Sequence, residues 1–319
     1  MTSLMRTAAL VIATTLIATT AQAQKYPSRT VEMIVAYGPG GSTDLVARAL
    51  ALKFQERLGQ SFVVLNKAGG SGTIGATLAA RAAPDGYTLY EGYTSELVVV
   101  PQISKSAKYS VDDFEPIAVT GLVPLVLITS KNVRANTVPE FIAEMRAAPG
   151  KYTYGGGIGA PPHVMGAWFN RVNNLNVTHV PYRGGGQAVA DVVGGHIDMF
   201  YAGLAAAKGA IDSGSVKALA VTGDVRSSAL PNVPTFKETG VKDFELASWN
   251  VLLAPKGTPA DIISLLRKET ALALADPKVR EIYSSQGVEP SQTQDVKAFL
   301  AHERDAFGRV VREIGISMD

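Results

Sequence analysis

The chain contains no cysteine in 319 residues. Disulfides, thiolate nucleophiles, iron–sulfur clusters and Cys-ligated zinc are excluded, while an oxidising compartment is tolerated. Charge is scarce: 18% of residues are charged against 46% hydrophobic, so the chain is neither disordered nor charge-driven. Neither sign dominates, with 30 Lys and Arg against 28 Asp and Glu. A nucleic-acid partner would call for a basic excess and is not expected. The four histidines, His163, His179, His196 and His302, form no H-E-x-x-H or i,i+4 pair, so no metal site is expected. A G-x-S-x-G nucleophile elbow is absent, and no carboxylate pair can be picked out for acid–base work. No stretch reaches the roughly 18 apolar residues of a membrane span. The length fits one large domain or two of about 150 residues, and either could bury a core.

The first 23 residues are of another kind. Arg6 is the only charge before Lys25, Ala8 to Ala18 is apolar apart from Thr14 and Thr15, and Ala21-Gln-Ala23 has the small-x-small form of a cleavage site. This reads as a secretory signal peptide over 1–23, cleaved after Ala23.

Beyond it, short apolar runs alternate with amphipathic segments. Strands are expected near Thr30–Ala36, Phe62–Leu65, Thr88–Tyr90, Ile117–Val119, Leu125–Thr129, Tyr152–Tyr154, Val177–Val180, Met199–Tyr201, Ala218–Val221 and Leu252–Ala254. Helices are expected between them, the longest over Thr43–Leu58. Such alternation predicts an α/β chain with mostly parallel sheets covered by helices. After about residue 255 only helices follow, closing with Asp295–Ile314, and such a tail must pack on an earlier sheet. The expected arrangement is two lobes: 24–124 with 250–319, and 125–249. The chain would cross near Gly121–Leu125 and again near Ser248–Leu252, and the closing helix would sit on the first lobe.

Four glycine-rich loops follow strands. The first, Gly38-Pro-Gly-Gly-Ser-Thr-Asp44, opens a helix, so Gly40 and Gly41 allow close approach and the N–H groups at Ser42, Thr43 and Asp44 face outward to an anion. A plain capped turn fits the same residues. Asp44 either meets a ligand or steadies its own helix. The second, Asn66-Lys-Ala-Gly-Gly-Ser-Gly-Thr-Ile-Gly75, contains a G-x-G-x-x-G match from Gly70. That fingerprint belongs in the first βαβ unit, whereas this one follows the second strand. The loop therefore reads as a close-approach turn at a cleft rim, and no cofactor is expected. The third holds Gly155, Gly156, Gly157 and Gly159, with His163 placed to orient it. The fourth holds Tyr182, Arg183 and Gly184, Arg183 being suited to a distal carboxylate. Tyr37, Tyr93, Tyr182 and Trp249 are available to wall a cleft or to fill a core. Thr94 and Asp198, at element edges, complete the candidate ligand contacts. An enzyme would need a reactive cluster in the cleft, and a sensor's adaptor would need an exposed apolar patch.

Taken in order, these motifs resemble a family. They are Tyr26-Pro-Ser-Arg-Thr-Val, Pro39-Gly-Gly-Ser-Thr-Asp-Leu-Val-Ala-Arg48, Asn66-Lys-Ala-Gly-Gly, Pro84-Asp-Gly-Tyr-Thr-Leu89, Asp113-Phe-Glu-Pro-Ile117, Tyr154-Gly-Gly-Gly-Ile-Gly with His163, Val180-Pro-Tyr-Arg-Gly-Gly-Gly186, Gly195-His-Ile-Asp-Met-Phe200 and Ala254-Pro-Lys-Gly-Thr-Pro259. Together they are similar to the substrate-binding proteins of tripartite tricarboxylate transporters, the Bug-type periplasmic receptors. The resemblance implies a two-lobed periplasmic-binding-protein (Venus flytrap) fold and a monomer. Such a receptor is non-catalytic and presents a small organic anion to an inner-membrane permease. It also implies that the loops matching Gly38–Asp44 and Gly155–Gly159 hold a carboxylate through main-chain N–H groups, with Tyr182–Gly186 facing the cleft. Two departures stand out. Tyr37-Gly38 replaces a Phe followed by Pro or Ala, placing a phenol at the cleft. Gly156 replaces the usual Ser.

Overall fold

The structure, a computed structural model, describes residues 26–318 apart from 242, 243 and 245. The export segment expected at 1–23 and its cleavage after Ala23 lie outside these residues.

The chain opens with β1 (Val31–Val35), α1 (Ser42–Leu58), β2 (Phe62–Asn66), α2 (Thr73–Ala80) and β3 (Thr88–Tyr93). In β1 the side chains alternate. Val31, Met33 and Val35 face the core under α1, which contributes Val46, Leu50 and Phe54, while Ile34 faces the opposite core. The helix ends where Gly59, at φ 74, takes the left-handed conformation that stops it. After β3 comes a π-helical turn, Ser95–Val99, which runs into the short α3 (Val100–Ile103). The apolar sequence Leu97-Val-Val-Val carries no turn residue to announce it. β4 (Phe114–Val123) then passes through Pro124 alone into β5 (Leu125–Thr129) of a second sheet.

That sheet is built from α4 (Val138–Ala147), β6 (Thr153–Gly156), α5 (Pro161–Asn173), β7 (Thr178–Pro181), α6 (Gly185–Gly194), β8 (Met199–Gly203), α7 (Leu204–Asp212) and β9 (Lys217–Val221). Periodicity did not reveal α7, whose run Ala205-Ala-Ala-Lys-Gly-Ala has few large side chains to form a stripe. The chain returns through β10 (Ser248–Pro255) and ends with α8 (Ala260–Ala275), α9 (Pro277–Ser285), β11 (Glu289–Pro290) and α10 (Val296–Ile314).

The strand orders are β11-β4-β10-β3-β1-β2 and β7-β6-β8-β5-β9. Both sheets are flanked by helices, giving the two-lobed α/β architecture. They are mixed, however, rather than mostly parallel. β1 pairs in parallel with β2 and β3, as β6 does with β7 and β8, but β10 is antiparallel to β3 and β4, and β5 to β8 and β9. The reason is directional. The βαβ strands run toward the junction of the lobes, whereas β5 and β10 enter their sheets from it and so run the opposite way.

The junction is tied by hydrogen bonds. Thr94 Oγ1 accepts from Trp249 N (2.8 Å) and donates to Trp249 O (3.2 Å), and Thr222 Oγ1 accepts from Leu125 N (2.9 Å). α10 lies chiefly against β4, α3 and the Ser95–Val99 turn, but also against α5, so it reaches across both lobes. Its Phe299 packs edge-on to Trp249 at 5.4 Å, and Glu303 accepts from the Trp249 indole at 2.7 Å.

Candidate functional site

The C-terminal ends of β1, β2 and β3 face those of β6 and β7 across a cavity of about 690 Å³, the position where open α/β sheets bind ligands. Tyr37, Gly38, Gly69, Ser71 and Tyr93 line it from the first lobe, and Gly157, Ile158, Pro161, Tyr182 and Arg183 from the second. Met318 closes one side, its N–H donating to Ile103 O at 2.9 Å. A groove of about 790 Å³ lies on the outer face of the first lobe, beside β4, α8 and α9, away from every glycine loop.

In the first loop, Asp44 is an internal brace. It is buried and accepts from Gly40 N (2.9 Å), Arg48 Nε (2.9 Å) and Asn66 Nδ2 (2.8 Å). Burial alone would raise its pKa, but the bonds from Arg48, Gly40 and Asn66 outweigh this and hold it below the ordinary carboxylate value. This takes the Gly40 N–H, with Gly40 at φ 88. Gly41 is the N-cap of α1 with no side-chain cap, which leaves the N–H groups of the first helical turn, Ser42 to Asp44, without side-chain acceptors. Gly40 and Gly41 are exposed and Ser42 is half-buried. Thr43 is buried and its Oγ1 accepts from Asn250 Nδ2 at 2.9 Å, so the side chain faces β10.

The Tyr37 phenol expected at the cleft is turned out of it. The residue lines the cavity, but its hydroxyl donates to Glu96 Oε2 at 2.5 Å. Glu96 sits fully buried in the π-helical turn and also accepts from Tyr90 OH (2.9 Å) and Tyr93 N (2.6 Å). Burial pushes its pKa up to about 7 despite these donors. Sequence reasoning missed Glu96. The available signal was a lone carboxylate in the apolar run before Leu97-Val-Val-Val-Pro101, which must find donors if it is buried.

In the third loop most donors are already engaged. Gly155 and Gly156 belong to β6 and its ladder. Gly159, at φ 73, donates its N–H to His163 Nδ1 (3.2 Å), and its carbonyl accepts from Ser95 Oγ (3.1 Å) of the other lobe. Pro161 and Pro162 have no N–H, and His163 N donates to Ala160 O. The N–H groups of Gly157 and Ile158 have no acceptor among the described residues. His163 therefore orients the loop. Its ring stacks on His179 at 3.9 Å between centroids, and His179 Nε2 donates to Gly156 O at 2.8 Å. Burial, helped by the neighbouring His179, pushes the His163 pKa down to about 4, so it is neutral at pH 7.

In the fourth loop, Tyr182 lines the cavity, but its ring lies against Gly155, where an added Cβ would meet Cε2 at 3.2 Å, and its hydroxyl donates to Asp191 Oδ2 at 2.6 Å. Burial, with Asp191 adding to it, raises the phenol to about 12. Arg183 is exposed at the cavity wall, with no hydrogen-bond or ion-pair partner among the described residues. Gly184 caps α6 in extended geometry, φ −163.

Of the candidate ligand contacts, Tyr37, Gly157, Tyr182 and Arg183 line the cavity; the others, Gly40 to Asp44 and Gly70, Thr94 and Asp198 among them, are off its wall. Gly70, at φ 56, shapes the second loop, where a Cβ would meet Thr73 Oγ1 at 2.3 Å. Thr94 is wholly buried in the junction because its hydroxyl bridges the Trp249 backbone. Asp198 accepts from Thr153 N (2.9 Å) and Thr153 Oγ1 (3.1 Å). It stands just before β8, whose first residues lie at the end of the sheet away from the cleft. Trp249 is core rather than cleft wall. Among the described residues no group of three or more His, Asp or Glu is placed to hold a metal ion.

The family model described as "Tripartite tricarboxylate transporter family receptor" matches residues 46–316. Protein BugT of Bordetella pertussis is 36% identical over 323 residues, covering 100% of this chain and 99% of that protein. Among solved structures, Rpa4515 of R. palustris with adipate has a TM-score of 0.81 and 31% identity, covering 92% of this chain and 99% of that one. MatC of Rhodopseudomonas palustris with bound malate has a TM-score of 0.77 and 28% identity, covering 90% and 100%. The chain thus belongs to the tripartite tricarboxylate transporter receptor family and is a periplasmic solute-binding receptor.

Proposed function

We propose that the cleft closes on a small organic carboxylate, with the first lobe taken as 24–124 and 250–319 and the second as 125–249. The carrying observation is that, among the described residues, Arg183 is the only charged side chain on the cavity wall and has no hydrogen-bond or ion-pair partner. Uncommitted N–H groups at Gly157 and Ile158, and in the first turn of α1, add donors already fixed in direction. The bound adipate and malate of the two structural relatives are both carboxylates, which supports the reading. The loaded receptor would dock on inner-membrane permease subunits, after export with cleavage following Ala23.

The test uses protein unfolded, dialysed and refolded to strip retained ligand, then titrated calorimetrically with a panel of mono-, di- and tricarboxylates. A charge-assisted bond contributes about 1.5–3 kcal/mol, so Arg183→Ala is expected to weaken binding roughly tenfold to a hundredfold. Gly41→Val should abolish binding while the protein stays folded. Gly41 has φ −75, and an added Cβ meets nothing nearer than Gly38 O at 3.9 Å, but the side chain covers the donors of α1. If no carboxylate binds, or if neither substitution changes affinity, the reading fails.

A further inference from the structure

Resting on that reading, we propose that Glu96 is a positioning residue for the ligand and that its protonation state sets how tightly the cleft holds an anion. Glu96 lies in the π-helical turn Ser95–Val99, a rare form found most often at functional sites. The turn leaves β3 at the junction of the lobes. Thr94, just before it, is bonded to the Trp249 backbone. Ser95, its first residue, lines the cavity and donates to Gly159 O of the second lobe at 3.1 Å. Glu96 comes next and is wholly buried. Two of its three donors, Tyr37 OH and Tyr93 N, belong to residues that line the cavity. One carboxylate thus stands behind the wall and beside a bond between the lobes.

Its surroundings supply no cation. Set against it are the phenols of Tyr37, Tyr90, Tyr93 and Tyr109, the last donating to Glu96 O at 2.7 Å, and the buried Glu91 of β3, which burial lifts to about 8. The segment Gly70–Gly72, α2 and α3 contain no charged residue, and Gly72 packs on the Glu96 stem, where an added Cβ would stand 2.6 Å from Glu96 Cβ. α10 also packs on the turn, but its Arg304, Asp305 and Arg312 share a surface cavity with Leu97 and Val98, and its Glu303 accepts from the Trp249 indole. Burial therefore outweighs the donors and brings the Glu96 midpoint to about 7, where both forms are populated.

Protonation acts on the wall in two ways. An ionised Glu96 sets a negative charge behind a cavity that receives an anion, in surroundings that screen charge poorly. A protonated carboxyl, in turn, must itself donate a hydrogen bond. The Tyr93 N–H cannot accept it, so a phenol must change from donor to acceptor. Tyr37 can do so, because Ser95 Oγ is within bonding reach of its hydroxyl and takes the hydrogen bond that it redirects. Ser95 still donates to Gly159 O, so the chain of bonds runs unbroken from Glu96 to the second-lobe loop. Both effects favour neutral Glu96 when an anion is bound. Binding then takes up a proton, and affinity falls as pH rises through neutrality. Burial lowers both His163 and His179, so their titration falls below this range.

The experiment titrates the stripped receptor calorimetrically with acetate, benzoate, malate and adipate between pH 6.5 and 8.5, where ordinary carboxylates stay ionised. Each acid that binds should bind wild type about fivefold tighter at the lower pH than at the higher, the effect of raising the Glu96 midpoint by roughly one pH unit. Glu96→Gln keeps the size of the side chain and should bind equally at every pH, while Glu91→Gln should keep the wild-type slope. Tyr37→Phe removes one donor to the ionised form and should move the fall in affinity to higher pH. A flat wild-type profile, a slope that survives in Glu96→Gln or vanishes in Glu91→Gln, or an unmoved profile in Tyr37→Phe would overturn the proposal. Should Glu96→Gln not fold, the wild-type, Glu91→Gln and Tyr37→Phe profiles decide. If no carboxylate binds at any pH, the receptor reading beneath fails instead, and Glu96 is judged without ligand. Relative to Glu96→Gln, the folding constant of wild type should then fall roughly fiftyfold from pH 5 to 8, and a constant ratio would overturn its titration as well.

Discussion

Placing serine at position 156 should damage this protein. Gly156 ends β6, and a Cβ there would stand 2.8 Å from His163 N and 2.9 Å from His163 Cα. Both are backbone atoms in the first turn of α5, so no flexible side chain can move aside. That turn is also fixed by Pro161 and Pro162 and by the His163 ring stacked on His179. To admit the Cβ, α5 must back away, which loosens Gly159 N–H to His163 Nδ1 and His179 Nε2 to Gly156 O. Overpacking costs about 1–3 kcal/mol, and one weakened hydrogen bond adds about 1. For a protein of this size the expected fall in Tm is about 3–7 °C. Gly184→Ser is the control. That residue is in extended backbone at φ −163 with nothing within 4 Å of an added Cβ, so its Tm should stay within about 1 °C of wild type. Thermal unfolding followed by circular dichroism reads both. A Gly156→Ser protein melting with the wild type would show that α5 yields freely, and the account of a pinned cleft loop would be wrong.

Acid should expose the cost of the buried imidazole. His163 has its pKa near 4 in the fold against 6.5 in the unfolded chain, so its contribution is complete above pH 6.5 and is lost as pH falls toward 4. Relative to His163→Asn, the wild type should lose about 2–3 kcal/mol between pH 7 and 4.5 in urea titrations, and a constant difference across that range would refute the assignment. At the junction, Thr94→Val keeps the shape but strands the buried Trp249 N–H. The urea midpoint should drop by the equivalent of about 1–3 kcal/mol with the slope unchanged, and an unmoved midpoint would show that the junction bond contributes nothing.

The sequence made the elements legible where periodicity was strong. Val31, Met33 and Val35 alternate with outward positions, and the α1 stripe is complete from Val46 to Phe54. Strand direction was not legible. Leu125-Val-Leu-Ile-Thr129 is buried along its whole length, and a run buried on both faces reads the same whichever way it enters the sheet. The antiparallel pairing of β5 and β10 follows from where the chain crosses between lobes, a property of topology rather than of either segment's residues.

The glycine loops were legible as loops, but which of their donors remained free was only partly so. That Asp44 would turn back to Gly40, Arg48 and Asn66 depends on Asn66, 22 residues away on another strand. The prolines did carry readable information. Pro161 and Pro162 remove the first two N–H groups of α5, so that helix start offers far less to an anion than the start of α1, whatever its dipole. Ring and backbone acceptors then take the N–H groups of Gly159 and His163. The two lobes are therefore unequal. On the proposed reading the first would meet an anion with helix-start donors, while the second would be left with Gly157, Ile158 and the guanidinium of Arg183. If the cleft binds as proposed, removing Arg183 leaves the second lobe with two backbone donors and no full charge, so ligand affinity becomes less sensitive to salt.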